Sequence, residues 1–159
     1  MTKVIYPGSF DPVTKGHLDI IKRSSKIMEQ VTVAVLENPR KIATYSIEER
    51  VKMLKMVTEP YPNVTVDYYK GLLIEYAQNN NINIVIKGLR AMSDFEFEFQ
   101  MALVNQKLSP SMETLFMMTN NKYSFLSSSI VKEIACLGGD IRSLVPPEVH
   151  NIIIAKYQS

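Results

Sequence analysis

Cysteine is almost missing. Among 159 residues Cys136 is the only one, which excludes an intramolecular disulfide and leaves no Cys/His cluster for a metal. A reducing compartment is the natural setting. Long apolar runs are missing too: the N-terminus MTKVIYPGSF lacks the core of an export signal, and no run approaches the ~18 residues needed to cross a bilayer. The chain is therefore expected to be cytoplasmic, neither exported nor inserted. Charge of one sign is not in excess. Eighteen basic against sixteen acidic residues leave a net +2, too weak a field to recruit nucleic acid or an anionic membrane, so any anion site must be local. No linker, repeat or low-complexity tract divides the chain, and its length suits one domain spanning residues 1–159.

What is present reads as an ordinary globular protein, with 46% hydrophobic and 21% charged residues. Short β-branched runs at residues 4–6, 31–36, 64–68, 82–87 and 114–118 alternate with stretches whose apolar residues recur three and four apart, such as Ile47, Val51, Leu54 and Val57. This rhythm predicts a doubly wound, Rossmann-like sheet of five parallel strands with helices on both faces, in which ligands sit at the strands' carboxyl ends. Ser46 with Glu49, and Ser93 with Glu96, have capping-box spacing and predict two helix starts. Gly138 and Gly139 suit the end of a helix begun near Ser127, and Pro146 and Pro147 the start of the last one. Phe95, Phe99, Ala102 and Gln106 form one helical stripe. Phe97 and Met101 fall on another face, which predicts a subunit contact.

Four clusters fall where strands would end. After the first strand runs Tyr6-Pro7-Gly8-Ser9-Phe10-Asp11-Pro12-Val13-Thr14-Lys15-Gly16-His17, a strand, loop and helix start in which an imidazole stands where a phosphate chain could lie. Its glycines have neither dinucleotide-fold nor P-loop spacing. Tyr123, Ser124, Phe125, Leu126, Ser127, Ser128 and Ser129 open a later helix whose first amides and hydroxyls suit phosphates, although serine is also simply a good cap. Arg40-Lys41 and Lys87-Gly88-Leu89-Arg90 add basic residues at the same predicted sheet edge.

Thr14-Lys15-Gly16-His17 and Ser127-Ser128-Ser129-Ile130-Val131-Lys132 match the (H/T)xGH and SS(S/T)xx(K/R) motifs of the nucleotidyltransferase superfamily. Over essentially the whole chain, including Glu48-Glu49-Arg50, Gly88-Leu89-Arg90-Ala91, Asp94-Phe95-Glu96 and Gly139-Asp140, the sequence resembles the bacterial phosphopantetheine adenylyltransferases. The two short motifs alone would also fit glycerol-phosphate cytidylyltransferases and nicotinamide mononucleotide adenylyltransferases. The resemblance implies transfer of AMP from ATP to 4'-phosphopantetheine, giving dephospho-coenzyme A and pyrophosphate without a covalent enzyme intermediate, with Mg2+ carried mainly on ATP phosphates and no protein metal ligand. It also implies a homohexamer and feedback inhibition by coenzyme A.

Position by position, the resemblance puts His17, Lys41 and Arg90 in the catalytic set. It puts Ser9 and Phe10 between nucleotide and acceptor, and Gly88, Leu89, Glu98 and the seven residues from Tyr123 through Ser129 on ATP. Lys41 and Lys87 would hold the acceptor phosphate, while Leu73, Asn105 and Glu133 would line the pantetheine arm. Two positions depart from the family pattern: Lys87 stands where arginine is commoner and Phe97 where tyrosine is frequent. A lysine offers a point charge in place of a planar fork. The other readings of these residues are a nucleotidyltransferase for a different phosphate-bearing acceptor, such as a pyridine nucleotide, and a regulatory module that binds ATP without turning it over.

Overall fold

The computed structural model describes residues 1–158, with the side chains of Met92 and Ser93 outside the description. Five parallel strands form one sheet: β1 (Lys3–Gly8), β2 (Gln30–Glu37), β3 (Val64–Lys70), β4 (Ile84–Leu89) and β5 (Glu113–Met118), in the order β3-β2-β1-β4-β5. Six α-helices connect and cover them: α1 (Lys15–Ile27), α2 (Ile47–Thr58), α3 (Leu73–Asn79), α4 (Met92–Leu108), α5 (Ser128–Cys136) and α6 (Pro147–Ala155). The expected α/β class and five-strand alternation are observed.

Strand alternation divides the core in two. Val4 and Tyr6 of β1 with Val31, Val33 and Val35 of β2 face Ile20 and Ile21 of α1, Met53, Leu54 and Val57 of α2, Val131 of α5 and Ile153 of α6. Ile5, Ala34 and Val85 face the other way, onto Ile74 and Ala77 of α3 and onto Met112. A strand buried on both faces must be apolar at successive positions, as the central VIY of β1 is.

Local chemistry sets the helix ends. Ser46 caps α2, accepting from the Glu49 amide at 3.1 Å while the Glu49 carboxylate accepts from the Ser46 amide at 2.7 Å. α5 closes with the Gly138 amide on the Ala135 carbonyl and the Gly139 amide on that of Ile134, Gly138 adopting φ +78°. That is a Schellman turn, whose left-handed residue favours glycine. The predicted start of α4 shifts: the helix begins at Met92 with Ala91 at the cap, and no side chain caps it. The Ser93 hydroxyl assigned to that cap lies outside the described side chains.

Candidate active site

The ladder between β1 and β4 contains only two residue pairs, Val4 with Ile84 and Ile5 with Val85. By contrast, β4 stays paired with β5 out to Leu89 and β1 with β2 out to Gly8. The carboxyl halves of β1 and β4 therefore diverge, and they do so where the strand order reverses, the place where open α/β sheets bind ligands. A cleft of about 860 Å³ opens there, with Ser9, Phe10, Thr14 and His17 on one side, Lys87, Gly88 and Arg90 on the other, and Tyr123, Leu126, Ser127 and Ser128 at one end.

His17 is the N3 residue of α1, and its ring takes the part usually played by glutamate in a capping box. Thr14 Oγ1 accepts from the His17 amide at 3.3 Å, and His17 Nδ1 accepts from the Thr14 amide at 3.0 Å. An Nδ1 that accepts a backbone N–H carries no proton, so the neutral ring holds its proton on Nε2. Burial, aided by the nearby Arg90 charge, lowers the pKa from 6.5 to about 4. His17 is thus a fixed neutral donor. Phe10 packs edge-on against the same ring at 5.0 Å and against Tyr6 at 5.4 Å, buried and held at φ +48°. A bulky residue in the left-handed region costs about 1–3 kcal/mol and persists only where its surroundings over-determine it.

Those surroundings are evident along residues 9–12, whose Asp11–Pro12 bond is cis. Arg50, buried at 5% exposure, donates from Nη1 to the Ser9 carbonyl at 2.9 Å and to that of Leu36 at 3.3 Å. Asp11, 6% exposed, accepts from the Thr44 and Tyr45 amides at 2.9 Å each and from Lys132 Nζ at 3.1 Å. Burial alone would raise the Asp11 pKa, but these three donors outweigh it and hold the carboxylate below its usual range. Ser128 Oγ donates to the Pro12 carbonyl at 2.7 Å.

The basic residues of the cleft differ in their attachments. Lys87 Nζ lies 3.3 Å from Glu98 Oε2, an ion pair within the cleft wall. Arg90 donates from Nε to Asp94 at 3.2 Å and from Nη1 to the Leu126 carbonyl at 3.0 Å, so its guanidinium is braced against the loop that precedes α5. Lys41 is exposed on the segment after β2 and lines the cleft mouth. Ser127 caps α5 by accepting from the Ile130 amide at 3.2 Å, and the first-turn amides of Ser128 and Ser129 have no intrahelical partner. Four cationic or N–H donor groups therefore converge with a positive helix end, an arrangement that suits a chain of phosphates.

Most residues singled out from the sequence meet in this cleft: Ser9, Phe10, His17, Lys41, Leu73, Lys87, Gly88, Arg90, Glu98, Asn105, Tyr123, Leu126, Ser127 and Ser128 all line it. Leu89, Ser124, Phe125, Ser129 and Glu133 do not. Ser129 lines a neighbouring cavity of about 300 Å³, and Glu133 is exposed on α5. Phe97 and Met101, the face expected at a subunit contact, line the cleft with Val104 and Leu108 and give it an apolar wall, while staying 62% and 41% exposed. The sequence reading missed the structural tasks of Asp11, Arg50 and Lys132; all three stood in motif blocks, but only folding brings them to one loop. Among the described residues no three His, Cys, Asp or Glu side chains converge, and no helix is long and apolar enough to span a membrane.

A family model described as cytidylyltransferase-like matches residues 5–134. A phosphopantetheine adenylyltransferase from Natranaerobius thermophilus is 55% identical over 159 residues, covering 100% of this chain and 98% of the relative. One from Caldanaerobacter subterraneus subsp. tengcongensis is 56% identical over 158 residues, 99% of each chain. In fold, a crystal structure from Vibrio parahaemolyticus described as a nicotinate-nucleotide adenylyltransferase superposes with a TM-score of 0.73 at 15% identity, covering 100% of this chain and 98% of the other. With the motifs seated at the forked strands, these matches establish that the chain belongs to the phosphopantetheine adenylyltransferases of the cytidylyltransferase-like family.

Proposed function

We infer that this chain transfers the adenylyl group of ATP to the phosphate of 4'-phosphopantetheine, forming dephospho-coenzyme A and releasing pyrophosphate. The observation that carries the reading is the joining of His17, Lys41, Lys87, Arg90 and the start of α5 around one cleft, in a chain 55% identical end to end to a phosphopantetheine adenylyltransferase. An acceptor phosphate oxygen attacks the α-phosphorus; the new O–P bond forms as the bond to the β-phosphate bridging oxygen breaks, and pyrophosphate takes that electron pair. The acceptor is already an anionic nucleophile, so the protein's task is to align two anions and to stabilise the charge that gathers between them.

In this reading His17 Nε2–H donates to the α-phosphate oxygen or the leaving bridge, Arg90 and the α5 amides meet the β- and γ-phosphates, and Lys41 and Lys87 take the acceptor phosphate. The apolar wall of Met101, Val104, Leu108 and Leu73 suits the pantetheine arm, with Asn105 beside it. Glu98, paired with Lys87, would contact the nucleoside. The donors of the cleft are ammonium, guanidinium, imidazole N–H, amide N–H and hydroxyl groups. Such a set complements phosphate oxygens and not a divalent cation, so we propose that Mg2+ enters on the ATP phosphates, where it would neutralise charge. A cytoplasmic location, a homohexamer and inhibition by coenzyme A complete the proposal. For association, the support is the apolar surface at Phe99, Leu103, Leu115 and Met118, exposed by 41–79%.

The test is pyrophosphate release with ATP and Mg2+, comparing 4'-phosphopantetheine, nicotinamide mononucleotide, glycerol phosphate and no acceptor. Release with phosphopantetheine alone, together with dephospho-coenzyme A, is the expected outcome. Release only with another acceptor would overturn the substrate and keep the mechanism.

A further inference from the structure

Lys132 ends the SSSxxK motif, where a cation invites assignment to the nucleotide phosphates. Its surroundings say otherwise. Lys132 Nζ is bound to Asp11 Oδ2 at 3.1 Å, its side chain 24% exposed and that of Asp11 8%. Neither residue lines the cleft that holds His17, Lys87 and Arg90; both line the smaller cavity behind it, and Ser9, Leu36, Asn38, Lys41 and Ser128 form the partition between the two.

Asp11 is the centre of a three-way junction. Its own loop leads from β1 into the His17 turn, the Thr44 and Tyr45 amides belong to the segment that carries Lys41 into α2, and Lys132 belongs to the helix that begins with Ser128. The second of these segments is anchored beyond the junction, because the buried Tyr45 donates its hydroxyl to the Ile153 carbonyl at 3.2 Å. Upstream of the junction it is bare, with Ile42 99% exposed. The two hydrogen bonds that these amides donate to Asp11 are therefore where the Lys41 segment is fastened to the loop that orients His17, and Lys132 supplies the compensating charge that lets the carboxylate stay ionised under near-complete burial.

We propose that Lys132 and Asp11 form a positioning clamp that fixes the His17 loop, the Lys41 segment and the start of α5 relative to one another, Lys132 acting through alignment and without touching phosphate. The proposal rests on the adenylyl-transfer reading for its catalytic consequence. A clamp of this kind tightens the transition state more than the ground state, because misplacing reacting groups by about 1 Å can cost ~100-fold in rate while leaving each substrate bound.

The experiment is a double-mutant cycle with Asp11→Asn, Lys132→Met, the double variant and Lys132→Arg. It reads kcat from pyrophosphate release, ATP affinity from calorimetry, and hydrogen exchange at the Thr44 and Tyr45 amides by NMR. Each single variant should lower kcat by at least ~10-fold with ATP affinity within ~3-fold of the parent, and the double should be no worse than the poorer single by more than ~2-fold, the non-additivity of a shared interaction. Lys132→Arg should recover most of kcat, and amide exchange at Thr44 and Tyr45 should quicken in Lys132→Met. A loss of ATP affinity of ~10-fold or more in Lys132→Met, with Asp11→Asn harmless, would assign Lys132 to the phosphates and overturn the clamp. If Lys132→Met fails to fold, Lys132→Gln carries the same comparison. A parent enzyme silent with phosphopantetheine would refute the functional reading, and the exchange measurements, which need no turnover, would still decide the clamp.

Discussion

His17 should act as a neutral hydrogen-bond donor and not as an imidazolium. Its Nδ1 accepts the Thr14 amide at 3.0 Å, so a proton there would set two donors against each other, and burial with the Arg90 charge takes the pKa to about 4. At pH 7 about one ring in a thousand is then protonated in the free enzyme. Removing one preorganised donor aimed at transition-state charge costs about 2.7–4 kcal/mol, a factor of ~10²–10³ in turnover. His17→Ala should therefore lower kcat by that factor with ATP affinity little changed. His17→Gln, whose amide N–H2 can reach near the Nε2 position, should retain part of the turnover. The decisive assay is kcat/KM for ATP against pH, which reports free-enzyme ionisations: the parent should show no loss centred on the ordinary histidine value of 6.5 and should fall only toward 4. An acid limb near 6.5 that vanishes in His17→Gln would show that the charged ring is required and would refute the argument, as would unchanged turnover in His17→Ala.

Other consequences are quicker to state. Stability should decline as pH drops, because the unfolded chain protonates His17 at 6.5 whereas the folded ring resists until about 4; the stabilisation is complete above 6.5 and is lost between those values. The ceiling is ~3 kcal/mol, about half of that for a ring that opens onto the cleft, or a few degrees in Tm by calorimetry, and His17→Gln should flatten this stretch. Asp11 acts in the same sense at lower pH, its depressed pKa giving stability that is present above the usual carboxylate value and lost as the folded group finally protonates. Lys41→Ala should raise KM for the acceptor by ~10-fold or more with ATP affinity nearly unchanged, and a loss confined to ATP would contradict its assignment. Gly139→Ala should destabilise more than Gly138→Ala, since a Cβ at Gly139 would come within 2.6 Å of Ile134 Cγ2 whereas at Gly138 nothing lies within 4 Å and only the φ of +78° resists; urea titration should show about 1–3 kcal/mol against ~1.

The fold was legible because the signals that specify it are local. Alternating β-branched runs such as residues 31–36 and the Ser46 capping box act within a few residues, and the strands and the α2 start followed. α4 was harder. Its apolar residues circle the helix, so periodicity identified a helix without saying which side met the cleft, and the cleft-lining place of Phe97 and Met101 was not visible in it. Its cap was misplaced by a serine with the right spacing one residue inside the helix, where Ala91 begins it without a side-chain bond. At the site, residues that project into the cleft from motif loops were visible. The junction at Asp11 was not, because its partners are 33, 34 and 121 positions away and only the closed sheet brings them together.

That difference also explains how the same chemical type is put to two uses. Arg50 in α2 and Lys132 in α5 are cations just as Lys41, Lys87 and Arg90 are, and composition cannot separate them. Burial and partners can. A guanidinium at 5% exposure, held by carbonyls at 2.9 and 3.3 Å, would have to abandon those bonds to reach a ligand, leaving buried acceptors unsatisfied at about 1–3 kcal/mol each. Lys132 would abandon an ionised carboxylate that is almost wholly buried, which costs more. Lys41, exposed on its segment, gives up only water. Lys87 is intermediate: its partner Glu98 shares the cleft wall, and in the proposed reaction an acceptor phosphate would draw the ammonium away from this partly solvated pair. The gradient from braced to available cations runs from the core toward the cleft mouth. It would place rigid charges where the loops must be held and movable ones where the proposed reaction needs a phosphate to arrive and leave.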